Sequence, residues 1–347
     1  MTMIKPEATT AAPAAEDANV LDVRNLSVSF RVDGSWRKVV DDVSLSIGRG
    51  EALGLVGESG SGKTMTALAV VGLAQSKGAR VEASSIRVGG TDVAGLSERA
   101  WSDIRGRDVG MIFQQPTRSL NPAFTVGDQV SEVIRRHTGA SKKDAWRSAV
   151  AMLDRVHIAK AEERAHDYPH MFSGGMCQRV MIAMALACDP MLLIADEPTT
   201  ALDVTVQARV LEVLAELRAE LGIAVLFITH DLGVVSDVCE RVAVMYAGQI
   251  IERGTRNDIF EDPRHPYARG LIASIPRIGA SRRLVAIPGT VPPVGSLDGA
   301  CRFHPRCAYV EIGRCDVAPM ELQHLGGDRE VRCCRHDELA HATEVDR

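Results

Sequence analysis

The sequence predicts an α/β fold with a mostly parallel core sheet, an antiparallel edge sheet, a helical insertion and a small C-terminal extension. Three observations carry that prediction. First, the apolar run Ala52-Leu53-Gly54-Leu55-Val56 reads as a buried strand, and residues 64–74, rich in Ala, Leu, Val and Met, read as a helix. Second, Gly57-Glu58-Ser59-Gly60-Ser61-Gly62-Lys63-Thr64 between them matches G-x-x-x-x-G-K-[ST] in full, in the strand–loop–helix setting the pattern needs. Third, the apolar runs at 191–195 and 224–228 read as further strands, delivering Asp196, Glu197 and His230 at their C-terminal ends. Open α/β sheets bind their ligands outside those ends.

The elements follow in order. Residues 1–19, rich in Ala, Thr and Pro, lack both the basic start and the apolar core of a secretory signal, so a disordered lead-in is expected. Apolar stretches at 20–30 and 39–47 read as antiparallel strands of the edge sheet. In the loop that comes next, Gly57, Gly60 and Gly62 let the backbone wrap a phosphate. Its N–H groups, those of Ser59 and Ser61 included, then point inward at a helix N-terminus, where the dipole favours negative charge. Lys63 is expected on the β- and γ-phosphates of a nucleoside triphosphate, and the Thr64 hydroxyl on Mg²⁺.

A polar stretch over 84–107 precedes a strand at 109–113, which Gln114 follows. Residues 116–185 read as a helix-patterned insertion, with helical apolar spacing at 126–137 and 145–156 that is expected to pack as core. Ser173, Gly174 and Gly175 precede a helix running through 181–187, and small residues there make a second anion site. Of the paired carboxylates, Asp196 is expected to hold Mg²⁺ through its shell and Glu197 to polarise or deprotonate the attacking water.

Composition sets outer limits. With 347 residues and 46% hydrophobic content, the chain has room for one large domain or two smaller ones of ordinary globular character. A net charge of −5 argues against a general nucleic-acid binder. No stretch approaches eighteen uninterrupted apolar residues, so no membrane span is predicted.

The segment Ser173-Gly174-Gly175-Met176-Cys177-Gln178-Arg179 resembles the S-G-G-x signature of ABC-type ATPases, a class of P-loop NTPases. Gln114 matches that family's Q-loop, Thr200-Ala201-Leu202-Asp203 its D-loop and His230 its switch histidine. Five motifs in this order span residues 20–255. Phe113-Gln114-Gln115-Pro116, Ser119-Leu120-Asn121-Pro122, Tyr168-Pro169-His170, Met181-Ile182-Ala183-Met184-Ala185 and His265-Pro266-Tyr267-Ala268-Arg269-Gly270-Leu271 resemble the oligopeptide/dipeptide importer branch. The tail after residue 290 is similar to the C-terminal extension of that branch.

The resemblance implies an ATPase domain over 20–273, with its helical subdomain near 116–185, and an extension over 274–347. It implies that Phe30, with Trp36 behind it, stacks on adenine, although a core role is equally open to both. Gln114 is implied as a hinge residue near Mg²⁺. Ser173, Gly174, Gly175 and Asp203 are implied to serve ATP held by an opposing ATPase subunit, so that two subunits sandwich two nucleotides. The implied partners are two integral membrane permeases, touched near residues 115–124, and a second ATPase, by family habit a sister chain. A substrate-binding protein is an indirect partner, and the implied location is the cytoplasmic face of the membrane. Two residues depart from the family pattern. Phe172 stands where Leu is usual, and Cys177 stands where a basic residue is common, which removes a charge near the nucleotide.

Five of the eight cysteines cluster in the tail, at Cys301, Cys307, Cys315, Cys333 and Cys334. Cys177, Cys188 and Cys239 sit singly and read as small buried hydrophobes. Clustered cysteines in an intracellular enzyme point to metal rather than disulfides, yet C-x₅-C-x₇-C fits no common zinc pattern. The resemblance implies a [4Fe–4S] cluster on Cys301, Cys307 and Cys315, with Cys333 or Cys334 as fourth ligand. Zinc, with His304 or His336 as a ligand, and unligated thiols are the alternatives. For the whole chain the alternatives are a soluble ABC ATPase acting on DNA or ribosomes, which usually carries two cassettes or a long coiled coil, and a regulator that does not turn over. The presence of Glu197 and His230 disfavours the last.

Overall fold

The computed structural model describes residues 19–200, 202–275, 286–293, 299–317 and 319–339. The predicted lead-in over 1–18, Ala201 of the D-loop match and parts of the predicted extension lie outside these residues.

Two sheets organise the chain. The edge sheet is antiparallel, as its alternating apolar pattern predicts, in the order β2-β1-β5-β6 with β4 also paired to β1. Its strands are β1 (Asn19–Val32), β2 (Ser35–Gly48), β4 (Arg80–Glu82), β5 (Ser85–Val88) and β6 (Thr91–Asp92). The core sheet has, among the described residues, eight strands in the order β12 (Gln323–Gly326), β13 (Arg329–Val331), β11 (Gln249–Thr255), β10, β3, β9, β8 and β7. Five of them run parallel: β10 (Arg241–Tyr246), β3 (Ala52–Val56), β9 (Ala224–Thr229), β8 (Leu192–Asp196) and β7 (Val109–Ile112).

Strands buried on both faces read as unbroken apolar runs, and the two-residue period shares them between two cores. Leu53, Leu55, Ile194, Leu226 and Met245 join the core under the edge sheet. Val56, Leu193, Ala195, Phe227 and Val244 join the core under the helices. Helix Lys63–Val70 is shorter than the predicted 64–74. Gly72 ends the run with a φ of 68°, and the Trp101 indole occupies the space a side chain there would need, 2.3 Å from an added Cβ.

The insertion is helical as expected. Helices Val126–Thr138, Lys142–Arg155 and Gly174–Leu186 begin at Thr125, Ser141 and Ser173, whose side chains accept N–H bonds from the first turn. Val130, Ile134, Ala149, Leu153, Ile182 and Leu186 pack between them.

The predicted extension continues the core sheet. Strand β11 (Gln249–Thr255) turns back antiparallel from β10, and β13 (Arg329–Val331) pairs with it, Glu252 opposite Val331. Strand β12 (Gln323–Gly326) completes the edge. Buried Glu252 accepts backbone N–H groups of Arg264 and His265, and Arg329 approaches it at 3.5 Å. Even so, burial holds the Glu252 carboxyl up at about 7.

Candidate functional site at the ends of four parallel strands

Strands β3, β9, β8 and β7 are neighbours; His230, Glu197 and Gln114 follow the C-terminal ends of β9, β8 and β7, and Lys63 opens the helix after the loop that leaves β3. In the phosphate loop only glycine fits two positions. Gly57 has a φ of 152°, and an added Cβ would lie 2.1 Å from the Met245 carbonyl oxygen; Gly62 has a φ of 107°, and its Cβ would meet the Val39 carbonyl at 2.9 Å. The buried Lys63 ammonium is folded onto the loop itself. It donates to the carbonyls of Gly57 (2.7 Å) and Glu58 (3.0 Å) and to Ser61 Oγ (3.4 Å). Burial pulls its pKa down, against the attraction of Glu197, Asp196 and Glu58. An incoming phosphate would offer that ammonium a charged partner in place of neutral carbonyls.

Thr64 Oγ1 donates to Asp196 Oδ1 at 3.1 Å, so the two residues expected on Mg²⁺ face each other. Asp196 is buried, and desolvation pushes its carboxyl up to about 6, opposed by the Thr64 hydroxyl and Lys63. A desolvated carboxylate beside a threonine hydroxyl is a donor set that suits a hard divalent cation. Gln114, also expected near Mg²⁺, donates its Nε2 to Glu197 Oε2.

Glu197 closes β8 with a φ of 48°, its N–H donating to the Ile228 carbonyl at 2.8 Å. Its carboxylate receives Gln114 Nε2 (2.6 Å) and Thr200 Oγ1 (2.8 Å), and lies 3.1 Å from His230 Nδ1. Burial raises the Glu197 pKa, but the bonds from Thr200, His230 and Gln114 outweigh it and hold the group below the ordinary glutamate value. Thr200 is the partner that sequence reasoning placed only within a motif. Its position three residues after Glu197, across a turn, was the available signal.

No described contact joins the signature to this cluster. Ser173 Oγ accepts the Met176 N–H at 3.4 Å, and Gly175 lies so close to Val206 that an added Cβ would meet its Cγ1 at 2.2 Å. Asp203 Oδ1 accepts the Val206 N–H at 3.0 Å and caps helix Val204–Leu221. Gly175 and Asp203 are therefore tied to that helix, whereas Ser173 caps its own helix Gly174–Leu186. Phe30 is half-buried against the edge-sheet core, while Trp36, at the β1–β2 hairpin, is exposed.

The two departures have structural partners. Phe172 lies beneath the Arg164 guanidinium at 4.9 Å. The Cys177 thiol is buried, 3.4 Å from the Pro169 carbonyl, and burial pushes its pKa up. Cys177 therefore belongs to the helical core. Of the other single cysteines Cys239 is buried and Cys188 half-buried.

All five tail cysteines line one cavity of about 20 Å³, together with His304. Cys315 and Cys334 Sγ are 3.8 Å apart. Burial and neighbouring thiols push Cys307 up to about 11 and Cys333 up to about 12. Against expectation, no three Cys, His, Asp or Glu side chains among the described residues stand at metal-ligand spacing. A cavity of that size has room for about one water, and among the described thiols only Cys315 and Cys334 are in direct contact. His336, expected as an alternative zinc ligand, does not line it, and its Nε2 meets Gln323 Oε1 at 2.8 Å. The donor set itself, five convergent soft thiols, suits a thiophilic metal.

Among the described residues no helix is long and apolar enough to cross a membrane. Residues 40–200 match the ABC transporter family, and residues 251–315 match the oligopeptide/dipeptide transporter C-terminal region. A protein of Brucella melitensis biotype 1, provisionally named a peptide import ATP-binding protein, is 45% identical over 333 residues, covering 92% of this chain and 98% of its own. A second from that organism, named likewise, is 47% identical over 317 residues, covering 91% and 95%. Among solved structures, the dimeric post-hydrolysis state of the ATP-binding cassette MJ0796 bound to ADP and Pi gives a TM-score of 0.61 at 27% identity, covering 68% of this chain and 98% of that one. Clostridium perfringens cbiO1, part of the ABC transporter complex cbiONQ, gives 0.60 at 25% identity, covering 71% and 92%. The chain belongs to the ABC transporter ATP-binding family, in the branch that carries the oligopeptide/dipeptide transporter C-terminal region.

Proposed function

We infer that this chain is the ATP-hydrolysing energy subunit of a membrane importer for peptides or related cargo. The observation that carries the reading is the convergence of Lys63, Thr64–Asp196 and the Gln114–Glu197–His230 group at the ends of adjacent strands. Mg²⁺, held by Thr64 and Asp196, with Gln114 beside it, would neutralise phosphate charge. Lys63 leaves the loop carbonyls for the β- and γ-phosphates. Glu197, kept ionised by Thr200, His230 and Gln114, orients the attacking water and polarises its O–H bond. Phe30 stacks on adenine.

Ser173, Gly174, Gly175 and Asp203 act across a dimer, on the nucleotide of a second ATPase subunit, by family habit a sister chain. The contacts of Gly175 and Asp203 with helix Val204–Leu221, rather than with this chain's own phosphate loop, favour that role. Two permeases would dock on the helical subdomain, at the cytoplasmic face of the membrane. Exposed Phe124, Tyr168 and Met171 support the site. The loops that carry Phe124 and Tyr168 are joined by bonds from the Val126 and Gly127 N–H groups to the Asp167 and Ala165 carbonyls. A binding protein outside the membrane would supply the cargo.

Tagged Glu197→Gln protein, solubilised from native membranes with ATP, tests the assembly. Turnover should fall about 10²–10⁴-fold, and two multi-span chains and a second ATPase should co-purify. Retained turnover would remove Glu197 from its role. Recovery of ribosomal or DNA-repair proteins without an integral membrane chain would overturn the transport reading.

The convergent tail thiols favour a metal centre, a [4Fe–4S] cluster on Cys301, Cys307, Cys315 and either Cys333 or Cys334, as a structural element. Oxygen-free purification with a visible spectrum and iron, sulfide and zinc assays tests it. Coloured protein with stoichiometric iron and sulfide is expected. Colourless protein with stoichiometric zinc, or with no metal, would end the cluster reading.

A further inference from the structure

Glu58 is an awkward residue for an anion-binding loop, because its carboxylate repels the phosphates that the loop amides attract. The C-terminal extension supplies the compensating charge from 248 positions along the chain. Arg306 Nη1 reaches Glu58 Oε2 at 3.1 Å and Nη2 reaches Oε1 at 3.2 Å, a bidentate pair. The Arg306 side chain is only 6% exposed, so solvent screens the pair weakly.

Arg306 is also held independently of Glu58. Its Nε donates to the Pro288 carbonyl at 2.7 Å and its Nη1 to Tyr246 Oη at 3.3 Å, and the guanidinium lies over the Tyr246 and Phe303 rings. A fork anchored in this way imposes a position on its partner. Glu58 is gripped at its backbone as well, its N–H donating to Tyr267 Oη at 2.9 Å while its carbonyl accepts from Lys63. Arg306 is thus one side chain away from the lysine of the phosphate loop. It also ends the short turn His304–Arg306, which hangs between Cys301 and Cys307 of the thiol cavity.

We propose that Arg306 is a positioning residue for the nucleotide, by which the C-terminal extension neutralises Glu58 and sets the affinity of the phosphate loop for ATP. The proposal rests on the reading of that loop as the ATP site. Affinity, not the chemical step, depends on it, because Arg306 acts on the loop and not on Glu197 or the attacked phosphate.

The test measures ATP dissociation constants of the full chain, and KM and kcat of the assembled transporter, for Arg306→Ala, Arg306→Gln, Arg306→Lys and the double variant Glu58→Gln/Arg306→Ala. Arg306→Ala and Arg306→Gln should weaken ATP binding roughly tenfold, the scale of one charged hydrogen-bonded pair, and raise KM with kcat within about twofold. Arg306→Lys, which keeps the charge but not the fork, should restore part of the affinity. The double variant should restore most of it, because it removes the charge that needed compensation. A merely structural role would move neither rescue. Parental affinity in Arg306→Ala, or a double variant as weak as Arg306→Ala, would overturn the proposal. Should Arg306→Ala fail to fold by thermal melting, equal affinities for Arg306→Gln and Arg306→Lys would overturn it instead. Lys63→Ala separates the two readings: parental ATP binding there would sink the ATP site itself, while lost binding there beside parental Arg306 variants would sink only this inference.

Discussion

Asp196 concentrates the electrostatic cost of the site. The folded chain holds its carboxyl up at about 6, whereas a free aspartate titrates near 3.8. Between those values the native state binds more protons than the unfolded chain. Stability therefore falls as pH rises through that window and stays lower above it, by on the order of 3 kcal/mol. Asp196→Asn should raise the melting temperature of nucleotide-free protein at pH 8 and leave it nearly unchanged at pH 4, while abolishing Mg²⁺-dependent turnover. An equal shift at both pH values would show that the gain comes from something other than the buried charge. At this scale much was legible, because Lys63, Thr64, Gln114, Asp196, Glu197 and His230 lie beside short motifs at strand ends. The partner of Glu58 was not: Arg306 lies in a polar tail, and nothing in its local sequence points to the phosphate loop.

The signature helix shows what an element adds to its motif. Gly174 and Gly175 look alike in sequence, but an added Cβ at Gly174 finds only Leu202 at 3.8 Å, whereas at Gly175 it strikes Val206 at 2.2 Å. Gly175→Ala should therefore destabilise the fold by about 1–3 kcal/mol, the usual cost of overpacking. Gly174→Ala should stay near the parent. Thermal melts of the two variants decide the matter, and equal stabilities would mean that helix Val204–Leu221 moves aside freely. Cys177 on the signature helix is buried, as its reading as a small hydrophobe predicts, with its thiol donating to the Pro169 carbonyl; the expected loss of a charge near the nucleotide finds no contact among the described residues. Helical periodicity reports that one face is buried, but not which neighbour buries it.

Across the whole molecule, the sequence by itself determined the α/β class, the order of the strands that carry chemistry and the family. Those features rest on local signals: apolar runs of strand length, a glycine-rich loop before a helix, and acids or histidine just after a strand. Tertiary structure alone decided how the tail relates to the cassette. The tail reads as a separate extension, yet β13 pairs with β11, Arg329 meets Glu252, and Arg306 reaches the phosphate loop. It also decided that five cysteines spread over 34 positions line one cavity. Each of these contacts joins residues far apart in the chain, and their pairing depends on register and on which buried charge needs a partner. Those quantities belong to the packed molecule, where desolvation makes an unpaired Glu58 or Glu252 costly, and no stretch of sequence carries them alone.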